Sequence, residues 1–318
     1  MPQETRALID ERRDGRADRS DEGELAPGGP SRFERALPPA LAGRYTAVRL
    51  LSPGPLFVTL LATRASDGAS CVVKHLGRSD APAEASAMLA REARLLEAIA
   101  GHGAPELLER GDGIVVMRDT AMPTLAESVL ATGNLRAPGA CDVARASRAL
   151  FAALAALHDA SDARGPLHVV HGDVTPANAF LAPDASRALL ADLGLASWRD
   201  GSPPHDGAFR GSLLHCAPEV ARGERPTARA DLFALAASLL HVVTGVAPRG
   251  HAPDGNAGAA ALLAAAAERP VEAYDALPPA RRAQLGAHVL DALRACLAFD
   301  PAARPARAAD LLVLIPLA

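Results

Sequence analysis

Aromatic residues are scarce: Phe, Trp and Tyr make up only 3% of the 318 residues. A core of any size must therefore be built from Ala, Leu and Val. The four cysteines, Cys71, Cys141, Cys216 and Cys296, lie far apart and form no Cys-x-x-Cys pair or Cys/His cluster. That argues against a zinc site or a disulfide framework. It fits a reducing, cytoplasmic setting with the thiols as small core residues. No basic excess exists either: Lys+Arg 33 against Asp+Glu 37 leaves a formal charge of −4, and a nucleic-acid partner is not expected. No membrane anchor is expected. The longest apolar run, 232–247, contains His241, Thr244 and Gly245 and reads as a buried helix. The stretch 1–21 carries both charge signs without an apolar centre, unlike a signal peptide.

With 49% hydrophobic and 22% charged residues, the composition is that of a globular protein. Residues 1–43 are polar, mixed in charge and rich in Pro and Gly, and read as a disordered tail ending in a linker. Short apolar runs at 45–51 and 57–63 flank a Ser52-Pro53-Gly54-Pro55 turn, and 71–76 supplies a third strand. Apolar positions Met88, Leu89, Leu95, Leu96 and Ile99 predict a helix over 83–100, with Gly101 as its stop and a strand at 114–117 following. The remainder is mainly helical: 144–158, 228–244, 262–268, 281–298 and 306–314. Strand-like pieces at 169–170 and 188–191 each lead into a polar loop. The alanine run 259–267 reads as low complexity, as a solvent-facing helix or as a loop insert. The fold class is α+β.

The most informative segment is His171-Gly172-Asp173-Val174-Thr175-Pro176-Ala177-Asn178, followed by Asp192-Leu193-Gly194 after the next strand. A loop can fold back over the spacing from Asp173 to Asn178, so that both side chains face one cleft with Asp192. Carboxylate and amide oxygens are the hard ligands Mg²⁺ takes alongside phosphate. A carboxylate free of metal could accept a proton from an attacking hydroxyl.

These segments resemble, in order, the motifs of the Hanks-type (eukaryotic-like) serine/threonine protein kinases of bacteria. His-Arg-Asp-x4-Asn appears as His171-Gly172-Asp173 with Asn178, Asp-Phe-Gly as Asp192-Leu193-Gly194, and Ala-Pro-Glu intact as Ala217-Pro218-Glu219 after Gly211-Ser212. Val72-Val73-Lys74 is similar to the strand lysine motif and Glu92 to the helix glutamate. Asp231 matches the Asp opening the large buried helix, and Arg304-Pro305 the closing motif. The resemblance implies a two-lobed kinase fold, with a small β-rich N-lobe carrying one helix at 44–117 and a larger helical C-lobe with the hinge at 118–318. It implies ATP and Mg²⁺ as cofactors, held between the lobes, and protein Ser/Thr hydroxyls as substrate. Leu51, Gly54, Lys74, Glu92, Met117 and Thr120 would bind nucleotide, Asn178 and Asp192 would hold metal, and Asp173 would be catalytic. Glu219 and Arg304 would form a structural buried ion pair. His171 is expected to be a packed core histidine.

Departures from the pattern carry expectations of their own. Of three loop glycines only Gly54 survives, in Leu51-Ser52-Pro53-Gly54-Pro55-Leu56-Phe57. Pro55 offers no N–H, and a positive φ at Phe57, in a glycine's place, would be strained. A stiffer lid and a weaker phosphate grip are expected. Gly172 replaces an arginine that pairs with a phosphorylated loop, which implies activity without that phosphorylation. Thr175 replaces a lysine, and the hydroxyls of Thr175 and Ser212 could position Asp173 instead. Two alternatives stay open. One is a pseudokinase or nucleotide-binding scaffold, favoured by the loop defects. The other is a small-molecule phosphotransferase of the aminoglycoside or choline kinase type, which also carries His-Gly-Asp.

Overall fold

The structure, a computed structural model, describes residues 37–54, 56–78, 81–127, 143–203, 209–245, 248, 256–268, 271 and 279–315. The expected tail over 1–36, Cys141 and the loop-tip residue Pro55 lie outside these. The described chain forms two compact units: one runs to Gly101 and resumes over Pro105–Thr120, and the other comprises His102–Ala104 and the chain from Ala121 onward.

The first unit is a five-stranded antiparallel sheet with one helix. Its strands are β1 (Tyr45–Pro53), β2 (Phe57–Arg64), β3 (Ser70–Leu76), β4 (Leu107–Gly111) and β5 (Ile114–Arg118), in the order β1-β2-β3-β5-β4. Alternation along the strands sends Leu60, Ala62, Cys71, Val73 and Val116 to one core, as the period of two requires. Leu41, 1% exposed, also sits in this core. The stretch just before β1 is thus structured: Pro39–Leu41 make a 3-10 turn rather than a linker. Helix α1 (Ala83–Ile99) buries Ala85, Leu89, Ala93, Leu95, Leu96 and Ile99, one apolar stripe of a 3.6-residue period. Ala100 ends it in the left-handed region and caps it through its N–H to Leu96 O. Strand β4 is absent from the sequence reading because Leu-Leu-Glu-Arg-Gly does not alternate. The partly buried Leu107 and Leu108 find their place only by pairing with β5.

The second unit is mainly helical. Helix α2 (Val143–His158) is followed by the two-residue pair β6 (Ser161–Asp162) and β7 (Gly165–Pro166) and the hairpin β8 (Ala179–Leu181) and β9 (Ala188–Leu190). Then come α3 (Pro218–Ala221), α4 (Ala228–Thr244), α5 (Asn256–Glu268), α6 (Pro279–Cys296) and α7 (Ala308–Leu314). In α4, Leu232, Phe233, Leu235, Ala236, Ala237 and Leu240 are at or near zero exposure, the all-round burial of an internal helix. It opens on the Thr227 hydroxyl accepting from Ala230 N–H and closes on left-handed Gly245. The alanine run is a helix and not a loop insert, with one side exposed at Ala260, Ala261 and Ala264 and the other buried. In α5, Leu262 and Ala266 are buried, and Ala266 packs with Cys216 and Ala221. Among the described residues no helix is long and apolar enough to cross a membrane. Cys71, Cys216 and Cys296 are buried and outside any disulfide, and burial pushes the Cys296 thiol up to about 12.

Candidate active site

In the first unit, Lys74 lies on β3 opposite Thr59 of β2 and Val115 of β5. Its Nζ donates to Glu92 Oε2 of α1 at 2.8 Å. The two side chains are 10% and 2% exposed, so each charge is compensated chiefly by the other, as burial demands. The composition carries a signal for Lys74: it is the only lysine among 33 basic residues, all others being arginine. A compact ammonium is not interchangeable with a planar guanidinium. The Phe57 ring lies 5.4 Å from Lys74 Nζ, in cation–π range. Phe57 opens β2 in extended backbone and is absent from the positive-φ residues, so the strain expected of it does not occur. Leu51 is exposed on β1, Gly54 stands at the turn into β2, and Met117 is buried on β5. Thr120 closes the unit.

In the second unit the loop after Val170 carries Asp173. His171 is fully buried and bonds Ala191 O through Nε2 at 3.1 Å, as befits a packed histidine. Asp231, at the start of α4, accepts from the N–H of His171 at 2.7 Å and of Gly172 at 2.9 Å. It also meets His158 Nε2 at 2.8 Å. One buried carboxylate thereby fixes the backbone just ahead of Asp173. Gly172 has φ +78, and a Cβ there would lie 2.8 Å from Leu195 O. No arginine fits without moving that backbone, which explains the departure at this position physically.

Asp173 is held at both oxygens. Oδ1 accepts from Ser212 N–H at 3.0 Å, and Oδ2 from Asn178 Nδ2 at 3.3 Å, with Nδ2 also donating to Asp173 O at 3.0 Å. Asn178 N–H is 3.3 Å from Thr175 Oγ1. The hydroxyls of Thr175 and Ser212 therefore serve other partners, and it is the Ser212 backbone that positions Asp173. Gly211 permits this approach: at φ +105, its absent Cβ would stand 3.0 Å from Asp173 Oδ1. Burial pushes the Asp173 carboxyl above the ordinary range, and the nearby Asp192 charge adds to this, against the opposing pull of His171, Ser212 and Asn178. A half-buried carboxylate so raised is suited to accept a proton. Asp192 is exposed, with φ +64, at the head of the Leu193–Leu195 turn. Asp173, Ser212, Cys216, Ala217, Val220 and Ala234 line one small cavity.

Glu219 and Arg304 pair bidentately at 2.6 and 2.9 Å, 4% and 0% exposed. The guanidinium also donates to Ala298 O, Phe299 O and Arg229 O and lies 4.8 Å from the Phe233 ring centre. The segment after Asp192 is tied down through Arg199, which donates to Gly165 O, Pro166 O and Asp162 Oδ2, while Arg164 pairs with Asp200.

Comparison with known proteins bears on this arrangement. Residues 45–313 match the family described as protein kinase domain. The chain is similar to the serine/threonine-protein kinase PknK of Mycobacterium bovis, 32% identical over 160 residues, covering 49% of this chain and 13% of that protein. It is similar to PknF of Mycobacterium tuberculosis, a serine/threonine-protein kinase, 36% identical over 104 residues, covering 31% and 22%. It also resembles the tyrosine-protein kinase MasK of Myxococcus xanthus, 37% identical over 106 residues, covering 32% and 16%. The aligned parts span less than a quarter of these relatives' lengths. The family match covers most of the chain, from the first strand of the sheet to the last helix, and the chain belongs to the protein kinase domain family.

Proposed function

We propose that the chain transfers the γ-phosphoryl group of ATP to Ser or Thr hydroxyls of protein substrates. The observation that carries this reading is Asp173, raised above its ordinary range and fixed at both oxygens by Ser212 N–H and Asn178. Its free lone pairs accept the proton of the substrate hydroxyl as that oxygen bonds to phosphorus. The bond from that phosphorus to the oxygen bridging the β- and γ-phosphates breaks, and ADP leaves carrying the bridging oxygen. Lys74, oriented by Glu92, takes the α- and β-phosphate oxygens. Leu51, Gly54, Met117 and Thr120 contribute to nucleotide binding.

The donor set fits a divalent cation. The Asp192 charge raises the cost of ionising Asp173, and a cation beside them relieves it. Asp192 and the Asn178 side-chain oxygen would hold Mg²⁺, since Asn178 Nδ2 is turned toward Asp173. When bound, Mg²⁺ neutralises charge on the transferring phosphate oxygens. Gly172, which leaves no arginine ahead of Asp173 to pair with a phosphate, supports activity without loop phosphorylation.

A second reading, a nucleotide-binding scaffold, draws on the Phe57 ring beside Lys74. Incubation with labelled ATP and Mg²⁺, together with a Ser/Thr- and a Tyr-containing protein acceptor, separates the two. Label on Ser/Thr in the wild type and none with Asp173→Asn, which still binds ATP, is the expected result. No label in the wild type leaves the scaffold, and label on Tyr alone corrects the acceptor.

A further inference from the structure

The Ser212 N–H that holds Asp173 belongs to a single turn, and that turn has an unusual anchor. Ser212 O accepts from Cys216 N–H at 3.1 Å, closing the turn. Ser212 Oγ lies 3.1 Å from His215 Nδ1, and His215 Nε2 lies 2.9 Å from His241 Nδ1 on α4. The two imidazoles stack at 5.2 Å with 28° between planes, and are 3% and 4% exposed. Both ring nitrogens of His215 are thus engaged. The hydrogen bonds run unbroken from the most buried helix of the unit to the carboxylate: His241, His215, Ser212, Asp173.

From this connection we infer that His215 and His241 are positioning residues for the proposed base, anchoring the Ser212 turn to α4 so that its N–H stays on Asp173 Oδ1. The inference rests on the phosphotransfer reading for its consequence in turnover, but not for the anchor itself. The physical reason for a paired imidazole here is reach and direction. A planar ring carries polar atoms on opposite edges, so one side chain can hold Ser212 and α4 at once. In the neutral pair each nitrogen–nitrogen contact needs one donor and one acceptor. If His215 Nε2–H donates to His241, then Ser212 O–H must donate to His215 Nδ1. The hydroxyl is then turned from Asp173, and the backbone N–H is left as that residue's donor to the carboxylate. Gly211 completes the device, because a side chain there would wedge Ser212 off Asp173.

Amide exchange at Ser212, followed by NMR on the full ¹⁵N-labelled chain, reads the anchor without any turnover. In His241→Leu, which fills the space but offers no acceptor, Ser212 N–H should exchange roughly five- to tenfold faster, the loss of about one net hydrogen bond. In His241→Asn, whose amide reproduces the Nδ1 position, protection should return to the wild-type level. Ser212→Ala, which leaves the buried rings in place, should also quicken exchange at residue 212. This last variant keeps the test alive if His241→Leu does not fold. In the phosphotransfer assay, His241→Leu should lower kcat at an unchanged KM for ATP, and His241→Asn should restore it. Unchanged exchange in His241→Leu or in Ser212→Ala overturns the anchor. Exchange that responds as expected in a wild type without turnover overturns the phosphotransfer reading alone.

Discussion

Arg304→Met would strand the Glu219 carboxylate, whose partner in the fold is this guanidinium alone among the described residues. Breaking one side of a buried pair costs about 3–5 kcal/mol, because the remaining charge stays out of water unpaired. Arg304 also satisfies the carbonyls of Ala298, Phe299 and Arg229. The converse change, Glu219→Gln, leaves the guanidinium those three acceptors, the face of Phe233 and a neutral amide. Its cost should be nearer the about 1.5–3 kcal/mol of a charged hydrogen bond. For a unit of this size, about 2–4 °C per kcal/mol puts the fall in Tm at about 6–20 °C for Arg304→Met, and less for Glu219→Gln. Trp198, the single tryptophan, is buried in the second unit and reports its melting. A drop under about 2 °C in Arg304→Met, or the opposite order of the two variants, would refute the reasoning.

Lys74 should be labelled by an amine-reactive ATP analogue, and excess ATP should prevent it. Mass spectrometry of the peptide containing residue 74 reads this, and labelling insensitive to ATP would place nucleotide elsewhere. Phe57→Ala should tighten ATP binding, because the ring lies 5.4 Å from the Lys74 ammonium and its attraction competes with that of phosphate oxygens. A fall in Kd of about two- to thirtyfold corresponds to cation–π energies of about 0.5–2 kcal/mol, and weaker binding in an ATP titration would show the ring to be an aid. Burial, aided by the hydrogen bond to Glu109, pushes the Tyr45 phenol up to about 12. The unfolded phenol ionises near 10, so stability held below about pH 10 should be lost as pH rises toward about 12. Tyr45→Phe should lack that part of the alkaline decline in melting temperature, and an identical decline in both proteins contradicts it.

Much of the site was legible because its residues sit in short local motifs. The Asp173–Asn178 loop could be read from spacing, and Lys74 and Glu92 through their resemblance to kinase motifs, and the structure brings each close pair together. What escaped depends on non-local contacts. The sequence offered hydroxyls for positioning Asp173, yet a backbone N–H does so, because His215, held by His241 of a distant helix, takes the Ser212 hydroxyl of its own turn. Gly172 looked like a lost arginine, and only the approach of Leu195 O gives it a cause. The alanine run gave no periodic signal because Ala fits any face, and its buried side was set by Cys216 and Ala221, far away in sequence. Strand β4 was missed for lack of alternation, and Leu41 because its prolines suggested a linker.

Asp231 gives the second unit a particular economy of failure. Its carboxylate stems from a helix sunk in the hydrophobic interior, yet it grips the amides of His171 and Gly172 directly upstream of Asp173. The loop that carries Asp173 therefore has no separate melting event of its own. It survives as long as the interior does and collapses with it, so heat should take away chemistry and shape in one cooperative step rather than silencing the loop first.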